Sequence, residues 1–513
     1  MQRIKELFQN FWFLSGLFVV FKLTLHFLTS TNYELHRDEM LYFAMGNHLD
    51  WGFASTPPLM SFLSFIIIKV FGYHEFFIKL FPALAGSLML IIIALFIKEL
   101  GGGRAALVTA SSAHILSTAM LRSSSLFMPV IFELFFWLLI LFFVLKLNNR
   151  QDPKNWLWLG VSFGLAFLNK YSVLVLGGST VLAILISKHR KLLFSKYVLY
   201  AFLLFLLIIS PNVIWQISHN FPVVTHMSEL YRTQLVHVSA GSFFLDQLLM
   251  NSSVVLIWMP GLIGVLFFRQ EKKYRLFGYI MLLVVLLFLI SKGKSYYTLG
   301  VYPVMFAFGG YIFEKYFRKQ LALIVSICFI QTIIILPFGL PILKQESMKK
   351  YSAFFSEYIT NAPMRNEDNG YYPIPQDYMD MTGWDELARL VSQAYDRLTR
   401  EQSKRCTIYA NNYGQAGAID FYGKKYNLPG AVSLNDSYVF WAPDSLTSDI
   451  FIVSDHSLGD IPNLFESYQQ VGEIDNDCFR ENGLKVYLCQ NPKPVLYDFY
   501  RNRVKEHKAL YGF

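Results

Sequence analysis

Charge is scarce in this chain. Of its 513 residues only 16% are Asp, Glu, Lys or Arg, and 54% are hydrophobic. A soluble domain carries about a quarter charged residues, so a water-soluble enzyme is excluded. Cysteine is scarce too. The four are Cys328, Cys406, Cys478 and Cys489, with no CxxC and no His/Cys group at zinc spacing. Cys478 and Cys489 can pair if that region lies outside the cytoplasm, and two free thiols fit the sequence equally well. There is no Walker loop and no GxGxxG, so nucleotide binding has no support. Internal repeats and low-complexity tracts are lacking as well. Arg3 and Lys5 precede an apolar run from Phe11, and no small-residue cleavage site follows it, so this run reads as a retained first span.

What is abundant is apolar and aromatic sequence, with 48 Phe and 30 Tyr. Apolar runs near the ~20 residues that cross a bilayer recur through the first two thirds. They predict eleven spans, near residues 11–30, 81–97, 105–121, 126–145, 156–169, 171–187, 197–215, 252–268, 276–291, 302–317 and 320–341. Spans five and six share so few residues that they are short or do not cross fully. After Pro341 the composition turns polar. Strand-like runs follow at Cys406–Ala410, Asp449–Val453 and Lys485–Cys489, with helical patterns between them. The expected fold is therefore mainly α: a polytopic bundle of about eleven helices over 1–341, then a small α/β domain over 342–513.

The net charge of +9 is unevenly spread. Residues 1–341 hold 27 Lys+Arg against 13 Asp+Glu, and residues 342–513 hold 18 against 23. In a soluble chain a basic total suggests nucleic acid. Here 18 of the 27 basic residues fall at the N-terminus and in even-numbered connections, as the positive-inside rule demands. Those parts are expected in the cytoplasm. The odd-numbered connections and everything after residue 341 are expected outside it.

The first outward loop, 31–80, holds five of those 13 acids and opens on Glu34-Leu35-His36-Arg37-Asp38-Glu39. Its apolar stretch from Leu59 to Phe71 suits a helix lying in the membrane interface. Pro57-Pro58 breaks the loop between two such helices. Other outward connections carry isolated cations: Arg122, Lys170, Lys292 and Lys294. Snorkelling to lipid headgroups explains any one of them, but the set beside an acidic loop points to an anion site. Glu133, inside the fourth span, either lines a polar cavity or forms an ion pair between spans. His219, His226 and His237 share no ligand spacing, so a metal there is not expected.

An enzyme facing outward has no nucleotide sugar to use. A sugar-phosphate-polyprenol donor meets that need. Its chemistry requires a base for the proton of the acceptor nucleophile, and Asp38 or Glu39 can serve. It requires cations for the leaving phosphate, a role for Arg122, Lys170, Lys292, Lys294 and Lys79. Aromatic-rich spans can form the groove for the polyprenyl tail, and Tyr296 and Tyr297 with Glu133 can line the cavity. One carboxylate base and direct displacement would invert the anomeric centre.

Several motifs then resemble a known family. The run from His36 to Leu59, with Asp38-Glu39, Tyr42, Gly52-Phe53 and Pro57-Pro58-Leu59, is similar to the first outward loop of bacterial family 39 glycosyltransferases. That family is related to protein O-mannosyltransferases and to the lipid A aminoarabinose transferase, and has the C-type membrane glycosyltransferase fold. Lys79-Leu80-Phe81-Pro82, Asn169-Lys170-Tyr171, Pro211 to Gln216, Lys292 to Tyr297, Tyr302-Pro303 and Asn412 to Gly423 extend the likeness over nearly the whole chain. The resemblance implies that Asp38 is the catalytic base. It implies a polyprenyl-phosphate sugar donor, a hexose or pentose transferred to a protein, lipid or glycan acceptor, and residence in the bacterial inner membrane among membrane lipids. The chain departs from the pattern at Pro129-Val130-Ile131, where many relatives have Pro-Asp-Ala, and Glu133 stands one turn on. Lys79 replaces an arginine, which loses bidentate phosphate binding but keeps the charge. No cofactor is required. Any divalent metal would sit at Asp38 and Glu39. The competing reading is a transporter or flippase of lipid-linked sugars, which should show internal repeats and midplane charges instead.

Overall fold

The computed structural model describes residues 9–150 and 152–512. Arg3 and Lys5 lie outside them. The chain divides into two compact units. The first comprises residues 1–30, 78–211 and 230–342, and the second comprises 31–77, 212–229 and 343–513. The second unit thus gathers the first outward loop and the α/β domain into one body.

Every segment expected to span is helical, but not every one is long enough. Among the described residues six helices have the length and apolarity to cross a membrane: Phe11–Thr29, Glu75–Leu100, Pro129–Arg150, Lys196–Ser218, Arg269–Ile290 and Arg318–Gly339. A seventh is reached if Ala240–Leu249 and Ser252–Phe267, bent by 53° at their junction, count as one. The other expected spans are shorter. Asn155–Asn169 and Tyr302–Tyr316 have 15 residues each, and Val173–Ile186 has 14. At 1.5 Å per residue such helices fall short of a ~30 Å core. The expected third span is broken. Arg104–Leu116 stops, the Ser117 hydroxyl accepts the N–H of Met120, and a new helix runs over Thr118–Ser125. Mean hydropathy over a window does not see such a cap. The apolar helices make this a multi-pass membrane protein.

Helices of the first unit approach closely through small residues, as expected where lipid supplies no hydrophobic drive between helices. A Cβ on Gly309 would lie 2.2 Å from the Ile257 carbonyl oxygen, and one on Gly310 would lie 2.4 Å from that of Ala106. Either substitution would push two helices apart.

In the second unit, Arg37–Asn47 and Leu59–Phe71 are the two helices expected around Pro57-Pro58. They pack with Gly46 against Ser64, where a Cβ would lie 2.7 Å from the serine Cβ. The α/β domain carries a five-stranded sheet in the order β2-β1-β3-β5-β4. The strands are β1 Cys406–Ala410, β2 Ala431–Val432, β3 Ile450–Asp455, β4 Phe465–Glu473 and β5 Lys485–Pro492. β2, β1 and β3 are parallel, while β5 runs antiparallel to β3 and β4. β1, β3 and β5 match the expected strand runs; β2 and β4 were not expected. All four cysteines are free, so Cys478 and Cys489 are two buried thiols and not a disulfide.

Candidate active site

The helix that carries Asp38 begins with an unusual cap. His36 is the N-cap: its Nδ1 accepts the N–H of Asp38 at 3.1 Å, while Glu39 Oε2 accepts the N–H of His36 at 2.7 Å. This is a capping box with histidine where serine or threonine is usual. Nδ1 is the acceptor, so the ring proton of His36 sits on Nε2, which lies 3.5 Å from Asp380 Oδ2. Glu39 is fully buried in this role.

Asp38 is left as the available carboxylate. Its side chain is 31% exposed. The Tyr413 hydroxyl donates to Asp38 Oδ1 at 2.8 Å, and Arg37 Nε stands 3.7 Å from the same oxygen. The Arg37 guanidinium lies over the Tyr413 ring, 5.2 Å from its centroid. Burial, then the negative charge of Asp38, push the Tyr413 phenol well above its usual pKa, so it stays a hydrogen-bond donor.

Asp380 anchors this cluster from behind. It is buried, with Arg37 Nε at 3.6 Å and Arg480 Nη1 at 3.2 Å. Burial alone would raise its pKa. The hydrogen bond from His36 and the charges of Arg37 and Arg480 outweigh that and hold it at about 2. Glu34 is spent differently. Its Oε2 accepts the N–H of Trp384 at 2.7 Å and that of Asp385 at 3.3 Å, at the start of the helix Trp384–Tyr395. Burial pushes its carboxyl up to about 7. The loop is thus tied to the α/β domain of the same unit by Glu34, Arg37 and Asp38.

Two further motif residues have packing roles in this unit. Trp215 lies against Gly52, where a Cβ would sit 2.2 Å from the indole, and Asn212 Nδ2 donates to the Trp51 carbonyl at 2.7 Å. His219 stacks on Trp215 with centroids 4.1 Å apart. Among the described residues no group of three His, Cys, Asp or Glu could hold a metal ion.

The expected cations are in the first unit. Lys170 follows the helix Asn155–Asn169 and its Nζ lies 2.8 Å from Glu133 Oε2. Ser172 donates to the other Glu133 oxygen. The same ammonium sits over Tyr297, 4.5 Å from the ring centroid, and over Tyr296 at 5.4 Å. Glu133, Lys170, Tyr296 and Tyr297 therefore form one cluster, and Glu133 takes part in it as an ion pair between helices. Lys292 adopts φ +52° and reaches the Val236 carbonyl at 3.5 Å. Lys294 opens the turn that presents the two tyrosines. Lys79, largely buried, donates to the Ser30 carbonyl at 2.8 Å, and Arg122 lies half-buried on the short helix Thr118–Ser125.

Three comparisons bear on this geometry. Residues 55–215 match the family model described as dolichyl-phosphate-mannose-protein mannosyltransferase. A lipid A galacturonosyltransferase, RgtD of Rhizobium johnstonii, is 26% identical over 221 residues, 42% of this chain and 46% of that protein. The chain thus matches less than half the length of this curated relative. The crystal structure of ArnT from Cupriavidus metallidurans bound to undecaprenyl phosphate superposes with a TM-score of 0.66 over 92% of this chain and 97% of that one, at 14% identity. Its apo form gives 0.61. The chain has an ArnT-like fold, mainly helical with a small C-terminal sheet domain. The sequence singles out Asp38 as a candidate, but it marks neither Tyr413, whose hydroxyl bonds Asp38, nor Asp380, which faces His36 and Arg37. Tyr413 lay inside a motif noted only for its resemblance, and nothing local to Asp380 marks it.

Proposed function

We propose that this protein is an integral membrane glycosyltransferase that moves a sugar from a polyprenyl-phosphate donor to an acceptor hydroxyl outside the cytoplasm. Asp38 takes the acceptor proton while the nucleophile attacks the anomeric carbon. The carbon–phosphate oxygen bond breaks on the opposite face, so configuration inverts. Lys170, Lys292, Lys294, Arg122 and Lys79 stabilise the departing polyprenyl phosphate as cations. The N-terminus is cytoplasmic, and the α/β domain is outside the cytoplasm of a bacterial inner membrane. The donor tail occupies an apolar groove of about 320 Å³ lined by Phe163, Val173, Gly177, Phe202 and Phe205. One wall of this groove is the helix Val173–Ile186, which begins three residues after Lys170.

The observation that carries this reading is the division of labour in the loop. Glu39 and Glu34 are consumed by backbone N–H groups, whereas Asp38 keeps a part-exposed carboxylate oriented by Tyr413. A transporter would be expected to show internal repeats and charges at the membrane midplane instead. Mass spectrometry of lipid-linked sugars and of envelope glycans in a deletion strain tests the reading. Accumulated sugar-phosphate-polyprenol together with a lost modification is expected. Unchanged levels of both would refute it.

A further inference from the structure

The α/β domain contains a second cavity that the proposed chemistry does not use. It has a volume of about 240 Å³ and lies between the sheet and the C-terminal helix Pro494–Ala509. Protein interiors keep few voids larger than a water molecule, so a space of this size with a polar mouth calls for an occupant.

Its place in the topology is informative. The connection leaving β1 runs to β2 on one side, and the one leaving β3 runs to β4 on the other. The crevice between the carboxyl ends of β1 and β3 is therefore a topological switch point, where open α/β sheets bind ligands. Asn411, just past β1, and Asp455, the last residue of β3, meet there, with Asn411 Nδ2 donating to Asp455 Oδ2 at 2.8 Å. The loop after β3 turns through Gly459 at φ +45°, and Asp460 then lines the cavity.

The lining has two characters. The floor is apolar, with Val453, Leu434 and Leu496 buried. The mouth holds the exposed ring of Phe499, with the Arg503 guanidinium 5.7 Å from its centroid. Among the described residues the side chains of Asp460 and Arg503 and the hydroxyl of Tyr409 make no hydrogen bond or ion pair, so all three are open to a ligand. An aromatic face beside both donors and acceptors suits a ring with an apolar CH face and an edge of hydroxyls. Two carboxylates against one guanidinium disfavour an anion.

We propose that this cavity binds a neutral pyranose residue of a glycan, with its CH face on Phe499 and its hydroxyls on Asp460, Arg503 and Asn411. The site is separate from Asp38 and does not depend on the transferase reading. Asn411 and Tyr413 are nevertheless two residues apart in one turn, so the bound sugar lies next to the strand end that carries the partner of Asp38.

The test uses the full chain in detergent, titrated with methyl pyranosides of gluco, manno and galacto configuration and with methyl galactopyranosiduronate. Binding is read by saturation-transfer NMR and calorimetry. At least one neutral pyranoside should bind saturably, and the uronate should not compete. Phe499→Ala and Arg503→Ala, both at exposed positions and checked for an unchanged melting profile, should each weaken binding at least tenfold. Asp38→Asn should leave it unaltered. No binding by any neutral pyranoside, equal binding in the two cavity variants, or loss of binding in Asp38→Asn would overturn the proposal. Loss of turnover alone in Asp38→Asn bears on the transferase reading and not on this site.

Discussion

The hydroxyl of Tyr413 donates to Asp38 at 2.8 Å across 375 residues of sequence. One partner lies at the start of a helix in the first outward loop, the other at the start of a helix following β1. The bond orients a carboxylate that would otherwise rotate freely. Tyr413→Phe removes it but keeps the ring beneath Arg37. Turnover should fall about tenfold, since small misplacements of a catalytic group are costly, while acceptor KM and thermal stability stay near wild type. Steady-state kinetics with purified donor decide this. Unchanged kcat would remove Tyr413 from the positioning role.

Glu39 sits beside Asp38 in sequence but serves the helix cap. Glu39→Ala should cost about 1–2 kcal/mol of stability, the scale of a lost N-cap, with the folded fraction still turning over. A melt combined with activity per folded molecule separates the two effects. Abolished activity at unchanged stability would make Glu39 catalytic.

Glu34 gives the second unit a pH dependence. Burial raises its carboxyl from an ordinary value near 4.5 to about 7. The folded state therefore holds a proton that the unfolded state has released between those values. Stability falls as pH rises through that window, by a few kcal/mol at most. Glu34→Gln cannot lose a proton, so its melting temperature should vary less between pH 5 and 8 than that of the wild type. Parallel curves would show that Glu34 is not the titrating group.

Lys170 is both a partner for Glu133 and a proposed phosphate ligand, and two variants separate these roles. Lys170→Met alone leaves a buried carboxylate uncompensated, a loss of about 3–5 kcal/mol in comparable pairs. Adding Glu133→Leu should restore stability without restoring donor affinity. Recovery of both in the double variant would confine Lys170 to structure.

Much of this architecture is legible in the sequence because it rests on local pattern. Apolar runs marked the expected spans, though not the helix Ala240–Leu249, Pro57-Pro58 marked the break in the loop, and β1, β3 and β5 stood out as apolar runs. β4, Phe465–Glu473, was missed because it is an edge strand with mostly exposed, polar side chains. β2 has only two residues. Spans five and six were expected to be short, but the break in the third span was missed because a cap at Ser117 costs nothing in average hydropathy. The capping box was visible in principle as His36 with Glu39 three residues on, but histidine is a rare cap. Tyr413 and Asp380 could not be found locally, because their partnership with Asp38 and Arg37 exists only once distant segments fold together.

The base assignment is tested most directly by single-turnover transfer with Asp38→Asn. The variant should insert, fold and bind the polyprenyl-phosphate sugar like the wild type, while transfer to the acceptor falls by about 10²–10⁴-fold, the usual worth of a positioned general base. Transfer at the wild-type rate by a properly folded Asp38→Asn protein would contradict the account.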